Sequence, residues 1–120
     1  MTVLIVEPNA ALAAIWGAHL KRCGWSVKLA SGQQEAIGVL REDGVSLVVL
    51  DLDLGEDSAF AVADYAAYRH PDLKIVFVTS RSFFSDGSIF NHAANACAYV
   101  GIETPPEDLA AMVEHYAAAS

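Results

Sequence analysis

At 120 residues and 54% hydrophobic side chains, the chain has the length of one domain with a substantial buried core, spanning residues 1–120. Its formal charge of −8 argues against general binding to nucleic acid or to a membrane surface, since both select basic patches. No apolar run approaches the length of a membrane span, and Cys23 and Cys97 stand far apart in no metal or redox spacing, so a cytoplasmic protein with reduced thiols is expected.

In chain order, Thr2 to Val6 reads as a buried strand ending at Glu7-Pro8-Asn9. Asn9 is placed to cap a helix whose apolar positions Leu12, Ile15, Trp16 and Leu20 recur at three and four, and which stops near Gly24. Trp25 to Ala30 alternates as a second strand. Ser31 is expected to cap the next helix, with Gln34 as its capping-box partner and Ala36, Ile37 and Leu40 on the inner face. Val45 to Asp53 is a valine- and leucine-rich run that suits a strand buried on both faces. It ends on two acids, Asp51 and Asp53, followed by the polar turn Gly55-Glu56-Asp57-Ser58.

Phe60 to Arg69 is the third helix, stopped before Pro71, and Lys74 to Val78 is a fourth strand ending in Thr79-Ser80. Arg81 to Ser88 reads as a polar loop carrying Phe83 and Phe84, followed by a short helix over Ile89 to Asn95. Ala98 to Val100 is a fifth strand. Pro105-Pro106 opens a last helix lined by Leu109, Met112, Val113 and Tyr116. The alternation predicts an α/β fold of three layers: a doubly wound, five-stranded parallel sheet of flavodoxin-like order 2-1-3-4-5, with five helices.

In that topology strands one, three and four deliver Glu7, Asp51 with Asp53, and Thr79 to one cleft at their carboxyl ends. Clustered carboxylates repel unless a cation sits between them, and hard oxygen ligands suit Mg²⁺. A carboxylate beside a hydroxyl and such a cation can act as a nucleophile toward phosphorus. Asp51 is the first candidate for that chemistry.

The segments Leu4-Ile5-Val6-Glu7, Leu47 to Leu54, Val76-Phe77-Val78-Thr79-Ser80 and Ala98-Tyr99-Val100 resemble the signatures of response-regulator receiver domains of two-component signalling. The resemblance implies that Asp51 accepts a phosphoryl group from a histidine kinase or phosphotransfer protein. It implies that Glu7, Asp51 and the Asp53 backbone carbonyl hold Mg²⁺. Thr79 would be the switch hydroxyl, and Tyr99 the aromatic whose rotamer follows it.

The chain departs from that pattern at several positions. Pro8 stands where receivers carry a second acid, which weakens the metal site. Ile102 and Glu103 stand where a Lys-Pro pair is usual, and Ile102 is expected to pack where the lysine stem would lie. Gly55 replaces a common proline and Ala59 a common glycine. Arg81 is the nearest cation in sequence to Thr79. The resemblance is therefore to a degenerate receiver.

Plainer readings stand beside these. Asp51 could simply end a strand, and Glu7 could be a surface acid because Pro8 removes its partner. The Asp53 side chain reads as a turn former. Thr79 could satisfy a local backbone bond, and Tyr99 could be a half-buried core aromatic. His19, His70, His92 and His115 fall on helix surfaces or ends with no ligand spacing. Phe83 and Phe84 suit either core or a partner surface.

The expected function is a receiver-like signalling domain with Asp51 as an inefficient phosphoacceptor and no separate catalytic activity. It would act on a downstream protein through the last two helices and strand five, with a homodimer left open and no room for an output domain. The alternative is a pseudo-receiver binding module that works independently of phosphorylation. A flavin- or nucleotide-binding protein ranks below both, because Pro8-Asn9 stands where a phosphate cradle would be needed.

Overall fold

The computed structural model describes residues 1–79 and 96–118. Its elements run β1 (Thr2–Val6), α1 (Ala10–Arg22), β2 (Ser26–Ala30), α2 (Gln33–Leu40), β3 (Val45–Asp51), β4 (Asp53–Leu54), β5 (Asp57–Ser58), α3 (Ala59–Arg69), β6 (Lys74–Thr79), β7 (Ala96–Gly101) and α4 (Pro106–Ala118). Five strands form one parallel sheet in the order β2-β1-β3-β6-β7, the doubly wound flavodoxin-like order. Four helices lie among the described residues; the helix expected over Ile89 to Asn95, and with it Ser80, Arg81, Phe83, Phe84 and His92, falls outside them.

The central strands are apolar throughout because both of their faces are covered. Leu4, Val6, Val48, Leu50, Ile75 and Phe77 pack with Ala36, Leu40, Val62 and Ala66 of α2 and α3. The alternate residues Val3, Ile5, Leu47, Val49, Val76 and Val78 pack with Trp16 and Leu20 of α1 and Leu109 and Val113 of α4. Each fully buried Val, Leu or Ile stabilises the fold by roughly 1.5–3 kcal/mol, so this two-sided core holds the strand ends in place.

Several expectations are corrected in detail. The buried stripe of α1 is Ala13, Trp16, Gly17 and Leu20, while Ile15 is 55% exposed. Small residues occupy the places where large apolar ones were sought. Leu29, on the edge strand β2, is 47% exposed, although one of its methyl groups packs against Gly17 of α1. β7 extends beyond Ala98–Val100 at both ends.

Asn9 does cap α1, its Oδ1 accepting from the Leu12 N–H at 3.1 Å. Ser31 does not cap α2. The N-cap is Gly32, and Ser31 instead gives its N–H and hydroxyl to Glu35 Oε1, leaving Gln34 out of any capping box. The stretch after Asp53 is a small antiparallel hairpin rather than a plain turn, with Asp53 opposite Ser58 and Leu54 opposite Asp57.

Candidate functional site

Strand register carries three polar side chains to one level. Val6 lies beside Leu50, Leu50 beside Phe77, and Asp51 beside Val78. Glu7, Asp51 and Thr79 therefore end β1, β3 and β6 together. Among the described residues they are the only buried polar or charged side chains, at 3%, 4% and 1% exposure. The strand order reverses between β1 and β3, and that reversal opens a crevice at the carboxyl edge of such sheets.

A buried carboxylate is costly unless it is bonded or paired. Backbone groups meet part of the demand: the Asn9 N–H donates to Glu7 Oε2 at 3.0 Å, and the Asp53 N–H donates to Asp51 Oδ1 at 2.8 Å. Glu7 Oε1 remains buried with no donor. Burial, and next the Asp51 carboxyl within hydrogen-bonding reach, push Glu7 from the ordinary 4.5 to about 8. The Asn9 N–H opposes that shift, and the charges of Asp51 and Asp53 add to it. Two carboxylates in such contact require a proton or a cation between them.

This donor set fits Mg²⁺, which takes one or two carboxylates and completes its shell with other oxygens. Among the described residues no three His, Cys, Asp or Glu side chains gather into a metal cage, so the remaining oxygens would come from backbone and water. The Asp53 side chain is exposed and accepts from the Gly55 N–H at 3.2 Å, the turn-forming role expected of it. Its backbone is the part held against Asp51. A cleft of 170 Å³ between β1, β2 and α1 borders Glu7 and is also lined by Leu29, Ser31 and Glu35. Larger recesses lie elsewhere, around Trp25 and around His70, and contain none of the acidic pair.

Around this centre the other predicted residues take distinct places. The Thr79 carbonyl accepts from the Ile102 N–H at 3.0 Å, so the segment after β7 runs directly beside the end of β6. The Ile102 side chain is 38% exposed, against the expectation that it packs in the lysine's place. Pro8 and Glu103 are exposed. Tyr99 lies opposite Phe77 in register, and the rings stack at 5.3 Å and 16°. Burial pushes its phenol upward. Tyr99 is therefore a half-buried core aromatic in this conformation. His70 is no solvated surface residue: its Nε2 donates to the Leu40 carbonyl at 2.8 Å.

Asp57 and Gln33 were not singled out by sequence. The Gln33 N–H donates to Asp57 Oδ2 at 3.0 Å, and Gln33 Oε1 accepts from the Ser58 N–H at 3.1 Å. The partners are 24 and 25 residues apart, and no local pattern signals such a pair.

A five-stranded sheet in this order, with its buried charges at the point where the order reverses, belongs to the flavodoxin-like class. Within that class, residues 3–114 match the response regulator receiver domain, and the chain belongs to that family. It is a receiver domain of the kind found in two-component response regulators.

The osmolarity two-component system protein SSK1 of Saccharomyces cerevisiae is 38% identical over 69 residues, covering 54% of this chain and 10% of that protein. This chain spans between 10% and 37% of the length of the curated relatives it matches. A CheY-like receiver domain protein from Methanospirillum hungatei superposes with a TM-score of 0.88 at 22% identity, covering 98% of this chain and 94% of that one. Response regulator TrrA of Thermotoga maritima, in complex with Mg²⁺–BeF, superposes at 0.81 with 22% identity, covering 96% and 97%.

Proposed function

We propose that this receiver domain accepts a phosphoryl group on Asp51, inefficiently, and passes the change to a protein partner. The observation that carries this reading is the buried Glu7–Asp51 pair, with Glu7 Oε1 lacking any donor. Glu7, Asp51 and the Asp53 carbonyl would hold Mg²⁺, which supplies charge neutralisation when bound. Asp51 Oδ2, the oxygen not taken by the Asp53 N–H, attacks the phosphorus of a phosphohistidine on a kinase or phosphotransfer protein. The new O–P bond forms as the N–P bond breaks, and the electron pair leaves with the histidine nitrogen. Thr79, at the end of the neighbouring strand, would donate its hydroxyl to the resulting phosphate.

Pro8 and Ile102 explain the inefficiency. Pro8 removes a metal-organising carboxylate, a kind of loss that weakens binding by about tenfold or more. Ile102 leaves out one charge-assisted contact to the phosphate, worth roughly 1.5–3 kcal/mol. A phosphate can shift a conformational equilibrium only by contacts that differ between its two states. The partner surface would be the one formed by α4 and β7.

The test is incubation with Mg²⁺ and acetyl phosphate, followed by intact mass. The expected result is a slow gain of one phosphoryl group that needs Mg²⁺ and disappears in Asp51→Asn. No modification at any Mg²⁺ concentration, or modification that survives Asp51→Asn, overturns the reading. Partner binding that is unchanged by Asp51→Ala would place the protein with binding modules that ignore phosphate.

A further inference from the structure

We propose that Asp57 and Gln33 form a clasp that positions the β4–β5 hairpin, and through it the Asp53 backbone beside Asp51; its bearing on metal rests on the reading of the acidic pair as a Mg²⁺ site. The helix α2 begins at Gly32, which has no side chain to cap it. The first helical N–H, that of Gln33, is met instead by Asp57 Oδ2 at 3.0 Å. Gln33 completes the exchange by accepting the Ser58 N–H on its Oε1 at 3.1 Å.

The approach is close enough that any side chain at position 32 would push the Asp57 carboxylate aside. A Cβ at position 32 would stand 2.7 Å from Asp57 Oδ2. Asp57 also carries negative charge to the positive end of the α2 dipole, which favours the arrangement.

The clasp reaches the site in two steps. Ser58 pairs with Asp53 across the hairpin, and the Asp53 N–H bonds to Asp51 Oδ1. Strands of two residues have little stability of their own, so contacts outside the hairpin set its position. The helix to which it is tied is pinned at its far end as well. His70 Nε2 donates to the Leu40 carbonyl at 2.8 Å, and Arg69 donates to the Arg41 carbonyl at 3.1 Å. The hairpin is thereby referenced to a fixed α2–α3 unit. Asp57 and Gln33 are positioning residues: they act through Asp53.

The experiment compares Asp57→Ala, Asp57→Asn and Gly32→Ala with the natural protein. Asparagine keeps an acceptor oxygen for the Gln33 N–H, whereas alanine removes it, and Gly32→Ala displaces the carboxylate without altering Asp57 itself. In metal-free protein, Asp57→Ala and Gly32→Ala are expected to shift the amide resonances of Asp53, Leu54 and Gly55, while Asp57→Asn leaves them in place. In calorimetric titration with Mg²⁺, the two disruptive variants are expected to bind about tenfold more weakly, and Asp57→Asn within about twofold of the natural protein.

Unmoved hairpin amides in both disruptive variants overturn the clasp. So does unchanged Mg²⁺ affinity in both when the natural protein binds the ion. If the natural protein binds no Mg²⁺ while the amides still move, the metal reading fails and the clasp stands as a device that holds the hairpin. Should Asp57→Ala fail to fold, Gly32→Ala decides by the same two measurements.

Discussion

At Glu7 the apolar run of β1 meets a carboxyl group that the fold keeps from ionising. Between about pH 4.5 and 8 the folded protein holds a proton there that the unfolded chain releases. The unfolded state then binds fewer protons, so the free energy of unfolding must fall as pH rises through this window. In EDTA, denaturant midpoints are expected to drop from pH 5 toward pH 8, by an amount on the order of a few kcal/mol in stability. Glu7→Gln should flatten that slope and make the protein more stable than the natural one near pH 8. Mg²⁺ should stabilise the natural protein at high pH and leave the variant unaffected. An unchanged slope in Glu7→Gln would place the retained proton elsewhere.

Among the elements, the β4–β5 hairpin turns on Gly55, whose φ of +69° lies in the left-handed region that favours glycine. Receivers commonly carry a proline here, but proline is fixed near −65° and has no N–H for Asp53 Oδ1. Gly55→Pro is therefore expected to break the hairpin, at a cost of about 2–3 kcal/mol, and to weaken Mg²⁺ binding by displacing Asp53. Thermal unfolding and a metal titration check the two effects separately. The central strands β1, β3 and β6 were legible in sequence because burial on both faces replaces alternation with continuous apolar runs, whereas the edge strand β2, largely exposed, was legible from its alternation. Glu7, Asp51 and Thr79 stood out as polar residues at the ends of those runs, and register explains why they meet. The inner face of α1 was misplaced because Ala13 and Gly17 pack where large side chains were sought. The α2 cap was missed for a different reason. Its acceptor lies 24 residues away, where rules about neighbouring residues have no reach.

Across the whole molecule, Pro8, Ile102 and Glu103, three of the positions that depart from the receiver pattern, are exposed, whereas Glu7 and Asp51 are buried. Pro8→Asp, Ile102→Lys and Glu103→Pro together should therefore restore the metal carboxylate and the phosphate contact without disturbing the core. With Ile102 already 38% exposed, its replacement is expected to cost less than about 1 kcal/mol. NMR titration with beryllofluoride and Mg²⁺ should show larger shifts near Tyr99 in the triple variant than in the natural protein. Equal shifts in both would mean that the natural site already couples fully. The segment being repaired is watched from within. Trp16 of α1 is 1% exposed, and its indole N–H donates to the Thr104 carbonyl at 3.4 Å, 88 residues along the chain. Trp25, 8% exposed, borders instead the recess with Met1, Cys23 and Glu114. The protein thus carries one natural chromophore wired to the junction between β7 and α4. A displacement of that junction alters the field around this indole, and so the colour of its emission, without any attached dye.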